Sequence, residues 1–92
     1  MYLLKKILNK KGYCFTGRGG MFYFDGNNEY YIDTENYIPN EKSKSNYAVA
    51  ILYKGIKFKN KKNEEIGEEK KRAVASEVQS LLEKDKIIAT IV

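Results

Sequence analysis

Histidine and tryptophan are both absent from this 92-residue sequence, and cysteine and proline occur once each. Without an imidazole there is no Ser-His-Asp or Cys-His nucleophile, no histidine proton shuttle and no imidazole-ligated zinc. The single thiol, Cys14, cannot close an internal disulfide or build a thiolate cage. It suits a reducing cytosol better than a secreted, disulfide-stapled fold. Long apolar runs are missing too. The longest, such as residues 47–53, reach about seven residues, where a bilayer span needs about 20. The opening MYLLKKILNKK has only a short apolar run before its lysines, too short for a secretory signal. The expected compartment is the cytoplasm, with no membrane contact.

What remains is an ordinary globular mixture, 42% hydrophobic and 32% charged. A chain of this length buries roughly 60–65% of its unfolded surface. That is one modest core, and a single domain is expected over residues 1–92. Lysine and arginine number 17 against 12 acidic residues, a net charge of +5. The excess is uneven: residues 1–62 hold 12 basic and 5 acidic groups, residues 63–92 hold 5 and 7.

The first two-thirds read as strands. Residues 13–16, 21–25 and 29–33 are rich in Tyr, Phe and Ile, which suit a pleated, half-buried surface. Asp25-Gly26-Asn27-Asn28 between the second and third runs is a hairpin turn, since Gly and Asn tolerate positive φ. A polar loop through IPNEKSKSN follows, then an apolar AVAILY strand. Lys54-Gly55 is expected to turn that strand into IKFK, where Ile56 and Phe58 alternate with lysines to give one dry and one basic, wet face. Val74, Val78, Leu81 and Leu82 form a helical stripe, with Gly67 as N-cap and Glu68 and Glu69 in the first turn. The helix is expected from about 68 to 83, followed by a β-branched closing strand over 86–92 that could pair edge to edge with another chain. The fold class is therefore α+β: an antiparallel sheet of about five to seven short strands, one C-terminal amphipathic helix packed on one face, and a closing strand.

Three stretches carry candidate chemistry. Asp33 and Glu35 lie two apart and so share one face of a strand, although a solvated strand end is the simpler reading. Gly17-Arg18-Gly19-Gly20 could cradle an anion between backbone amides and a guanidinium, or be a plain hairpin connection. Neither a Walker loop nor a dinucleotide fingerprint is present. Lysines interleaved with aromatics, namely Lys10, Lys11, Tyr13, Phe15, Arg18 and Phe22, are the composition of single-strand nucleic-acid binding. Lys11-Gly12-Tyr13-Cys14-Phe15-Thr16 resembles the ribonucleoprotein motif of cold-shock domains, with Cys14 in place of its glycine and a C-terminal helix foreign to that barrel. Eight tyrosines exceed what so small a core needs, so several are expected at the surface, and one of Tyr30 and Tyr31 must face outward.

Taken along its length, the chain is similar to a family of small bacterial immunity proteins encoded beside polymorphic or contact-dependent-inhibition toxins. The stretches that carry the likeness are Arg18-Gly19-Gly20-Met21-Phe22-Tyr23 and Tyr31-Ile32-Asp33-Thr34-Glu35. They continue through residues 51–58, Glu65-Ile66-Gly67-Glu68-Glu69-Lys70 and residues 87–92. The family often has a tryptophan after the middle strand; Phe58 stands nearest that place. The resemblance implies no catalysis, no cofactor and no metal, but stoichiometric inhibition of a cognate toxin domain. Arg18, Tyr23, Tyr31, Asp33 and Glu35 are the expected partner-binding residues, Arg18 as a bidentate anchor and the tyrosines as packed hot spots. A positive net charge favours an acidic partner, while Asp33, Glu35 and Glu41 could face a basic cleft. The alternatives are a small basic nucleic-acid-binding module, using the lysine–aromatic set above, and a phage-encoded inhibitor of a defence complex. The toxin's identity, the binding face and the oligomeric state do not follow from the sequence.

Overall fold

The computed structural model describes residues 2–17, 19–37, 48–61 and 64–92. The elements run α1 (Tyr2–Ile7), β1 (Gly12–Phe15), β2 (Gly20–Phe24), β3 (Glu29–Tyr37), β4 (Ala48–Phe58), α2 (Glu68–Lys84) and β5 (Ile88–Ile91). They form an α+β structure built on one five-stranded sheet in the order β1-β2-β3-β4-β5. The first four strands are an antiparallel meander, and β5 pairs parallel to β4, with Ala48 opposite Ile88 and Ile51 opposite Ile91. The sheet is thus mixed, because a parallel neighbour needs a crossover and α2 supplies it. Its 17 residues, about 25 Å long, carry the chain back from the end of β4 to its beginning.

Local chemistry sets the hairpin and the helix ends. The Asp25 carboxylate accepts the backbone N–H groups of Asn27 (2.8 Å) and Asn28 (2.7 Å), and Gly26 takes the positive φ of 102° that the turn requires. Gly67 is the N-cap of α2, with Glu68 and Glu69 in its first turn and Lys84 in its last. Val74, Ala75, Val78 and Leu82 form its buried stripe.

This stripe packs on Met21, Tyr23, Tyr30, Ile32, Val49 and Ile51, all fully buried. The tyrosines bury their rings and send their hydroxyls to carboxylates at the margin. Tyr23 donates to Glu77 (2.6 Å), Tyr30 to Asp25 (3.1 Å), Tyr53 to Glu68 (3.3 Å) and Tyr13 to Asp85. Among the described residues no buried side-chain polar atom lacks a hydrogen-bond partner. A small core therefore accommodates more tyrosine than the sequence reading allowed, because each hydroxyl reaches the rim.

Two expectations change, and one element is added. The N-terminal segment forms α1, which lies over β1: a Cβ on Gly12 would stand 2.7 Å from Lys5 Cδ. Lys54-Gly55 does not reverse the chain. β4 runs through it as one strand of 11 residues, because the nine residues of β3 offer ladder on both sides. The extra residues bulge: from Tyr31 to Asp33 β3 advances two positions while β4 advances five, from Leu52 to Lys57. Lys71 of α2 donates to the Lys54 carbonyl at 2.8 Å and holds that bulge. The closing strand is shorter than expected, and the Ala89 carbonyl on it accepts Gln79 Nε2 at 2.9 Å, which occupies part of its outer edge.

Candidate functional site

The alternation of β3 creates two unlike surfaces. Tyr30, Ile32 and Thr34 are buried under α2, while Tyr31, Asp33 and Glu35 point to the opposite face, whose β1 corner α1 covers. On that face the register sets Phe22 of β2 beside Tyr31, with ring centroids 5.7 Å apart at 62°. Gly20 is required there: a Cβ at that position would lie 2.3 Å from the Tyr31 hydroxyl oxygen, so the phenol rests across bare backbone.

Beyond the bulge, Lys57 of β4 and Lys59 just after it join the rings. Lys57 Nζ stands 5.3 Å from the Tyr31 ring centroid and Lys59 Nζ 4.3 Å from that of Phe22. Phe22, Tyr31, Asp33, Lys57, Phe58 and Lys59 line an open groove of about 430 Å³. Asp33, Glu35 and Lys57 are exposed, and both aromatic rings are half-buried. Such a surface offers flat apolar area, two cations and two anions on a hydrogen-bonded scaffold, the composition of a recognition surface.

One end of the groove is fixed by a buried carboxylate. Glu29, with its side chain 6% exposed, receives Lys6 Nζ (2.9 Å), Lys59 Nζ (3.3 Å) and the Tyr2 hydroxyl (2.7 Å). Burial alone would raise its carboxyl, but the hydrogen bonds from Lys6, Tyr2 and Lys59 outweigh that and hold it below the ordinary carboxylate value. The same cluster ties α1 to β3 and β4.

The expected partner-binding residues separate. Tyr31, Asp33 and Glu35 share the face opposite α2. Tyr23, expected as a surface hot spot, is fully buried: MFYF is apolar throughout, so its pattern could not tell which alternate residue faces the core. Arg18 and Glu41 lie outside the described residues, as does the polar loop. The lysine–aromatic set does not form one surface. Tyr13 and Phe15 pack against the core on the helix side, Phe22 is on the opposite face, and Lys11 pairs with Glu77 at 3.5 Å, while Lys10 is exposed. Cys14, opposite Phe22 in the register, is half-buried. Lys57, Phe58 and Lys59 were missed as site residues, although the alternation in IKFK was the signal that placed lysines on a wet face. Among the described residues no group of three His, Cys, Asp or Glu side chains could hold a metal ion, and no helix is long and apolar enough to cross a membrane. No family model, no curated protein and no solved structure matches this chain.

Proposed function

We propose that this protein is a non-enzymatic, cytoplasmic inhibitor of the immunity-protein kind, which neutralises a cognate toxin domain by stoichiometric binding through the sheet face opposite α2. The observation that carries this reading is the convergence of Tyr31, Asp33 and Glu35 with Phe22 and Lys57 on one solvent-facing surface. Interface centres favour aromatic anchors on a rigid base, ringed by charges that fix register and speed encounter. Tyr31 is the anchor, Asp33 and Glu35 meet cations of the partner, and Lys57 meets an anion. Rigidity supports the same reading, since a bulged but continuous ladder holds these side chains and the rings pack on each other and on Gly20.

A nucleic-acid-binding reading draws on the two lysines beside the rings. Against it, Lys57 and Lys59 already lie over the ring faces on which bases would stack. The test is a tagged pull-down from the native lysate, with and without nuclease. The expected result is one nuclease-resistant protein at near 1:1 stoichiometry, lost with Tyr31→Ala combined with Asp33→Ala, since losing a central anchor costs about 2 kcal/mol or more. Recovery of RNA or DNA that disappears after nuclease and at modest salt would replace this reading with the nucleic-acid one.

A further inference from the structure

Four of the five exposed large hydrophobic side chains among the described residues lie together at α1: Leu3 (69% exposed), Leu4 (48%), Ile7 (70%) and Leu8 (53%). Their spacing is that of one helical stripe, and the Leu8 N–H donates to the Leu4 carbonyl at 3.0 Å, so the turn continues to the last of them. The stripe faces outward because the other side of α1 is already committed. Tyr2 and Lys6 reach Glu29, and Lys5 lies against Gly12.

The charge around the stripe has one sign. Lys5, Lys6, Lys10 and Lys11 flank it, and no acidic residue precedes Asp25 in the sequence. Of these lysines, Lys6 is bound to Glu29 and Lys11 to Glu77, while Lys5 and Lys10 are exposed.

From this juxtaposition of an outward aliphatic stripe with lysines we infer that α1 docks on an anionic lipid surface, its leucines and isoleucine entering the interface and its lysines meeting the headgroups. The stripe is aliphatic throughout and lacks the Tyr, Trp or Arg anchors that dominate protein interface centres. A second copy of α1 would bring two lysine clusters together. A lipid surface satisfies both features at once, and its fluidity asks for no complementary cleft. The expectation of no membrane contact rested on run lengths, which exclude a span and say nothing of a helix lying in the interface. This inference is independent of the proposed toxin-binding face.

The experiment is co-sedimentation of the full chain with vesicles of phosphatidylcholine alone and of phosphatidylcholine mixed equally with phosphatidylglycerol. The protein is expected to pellet with the anionic vesicles, to stay in solution with the neutral ones, and to release as salt rises. Leu3→Ser combined with Ile7→Ser should weaken binding about tenfold or more. Both positions are exposed, so the fold should persist, and an unchanged far-ultraviolet circular dichroism spectrum checks this. Val92→Ser, which removes the other exposed large hydrophobic among the described residues, should bind as the parent does. No pelleting with anionic vesicles, or equal pelleting of the Leu3/Ile7 variant, overturns the inference. So does a dimer in solution that this variant dissolves, which assigns the stripe to a second copy.

Discussion

The two faces of the sheet treat aromatic rings in opposite ways. Under α2, Tyr23 and Tyr30 stack on each other, their centroids 6.1 Å apart, and their hydroxyls end on Glu77 and Asp25 at the rim. On the face opposite α2, Phe22 and Tyr31 meet edge to face, and the groups beside them are ammonium ions lying over the rings. The hydroxyls of Tyr23 and Tyr30 therefore meet acids, while the rings of Phe22 and Tyr31 carry lysines. Covered rings contribute through area removed from water, the largest favourable quantity in so small a chain. Uncovered rings retain part of that contact area for another molecule. On the proposed reading, stability and recognition are thus divided between neighbouring residues of the same strands.

The sharpest test of that division is a pair of truncations. Tyr23→Ala empties a buried site and should cost about 3–5 kcal/mol in denaturant unfolding, whereas Tyr31→Ala should stay within about 1 kcal/mol. Equal costs would show that the face opposite α2 is structural as well. Next in size is Glu29, the acid that bridges α1 to the sheet. Glu29→Gln should destabilise by about 1–3 kcal/mol at neutral pH, because two lysines lose their shared carboxylate. Its carboxyl is held below the ordinary value, so its stabilisation is present above about pH 4 and is lost as pH falls through the lower, folded value. The parent should then lose stability in acid more steeply than the variant, and matched acid limbs would remove Glu29 from that role.

The covered hydroxyls give the alkaline counterpart. Burial first, then the neighbouring carboxylates, raise Tyr23 well above the ordinary phenol value and push Tyr30 up to about 12. A raised phenol favours the folded state below about pH 10, and that contribution disappears as pH climbs through the folded values. Tyr23→Phe should cost about 1 kcal/mol at neutral pH and flatten the alkaline decline, followed by tyrosinate absorbance against circular dichroism. The smallest effect is expected at Lys57. Lys57→Gln should change stability by no more than about 0.5 kcal/mol yet slow association with a captured acidic partner at low salt, read by stopped-flow.

Legibility in the sequence followed range. The Asp25–Asn28 turn, the α2 stripe with its Gly67 cap, and the alternation of Ile56 and Phe58 with lysines are local patterns, and each appears where its residues stand. The parallel seating of β5 is non-local, and a β-branched segment carries no mark of its neighbour's direction. Gly55 was read as a turn because glycine permits one; the long facing β3 decides for a bulge instead. α1 was passed over because its stripe at Leu3, Leu4, Ile7 and Leu8 lies in a segment weighed only as a leader, and it is not buried, so no core periodicity supports it. Of the site, β3 alternation made Tyr31, Asp33 and Glu35 legible as one face. The continuous apolar run around Tyr23 hid which of its residues turns inward.

The parallel β5 also orders events in time. The first two hairpins close over four residues each, 16–19 between β1 and β2 and 25–28 between β2 and β3. Seating β5 requires the chain from Phe58 to Ile88 to be in place first, α2 included, so its contacts carry the larger loop-closure cost. β5 should therefore be the last strand to dock during folding and the first to release. Native-state hydrogen exchange would show this as amides of Ile88 and Thr90 opening below the global unfolding free energy while those of β2 and β3 open only with it.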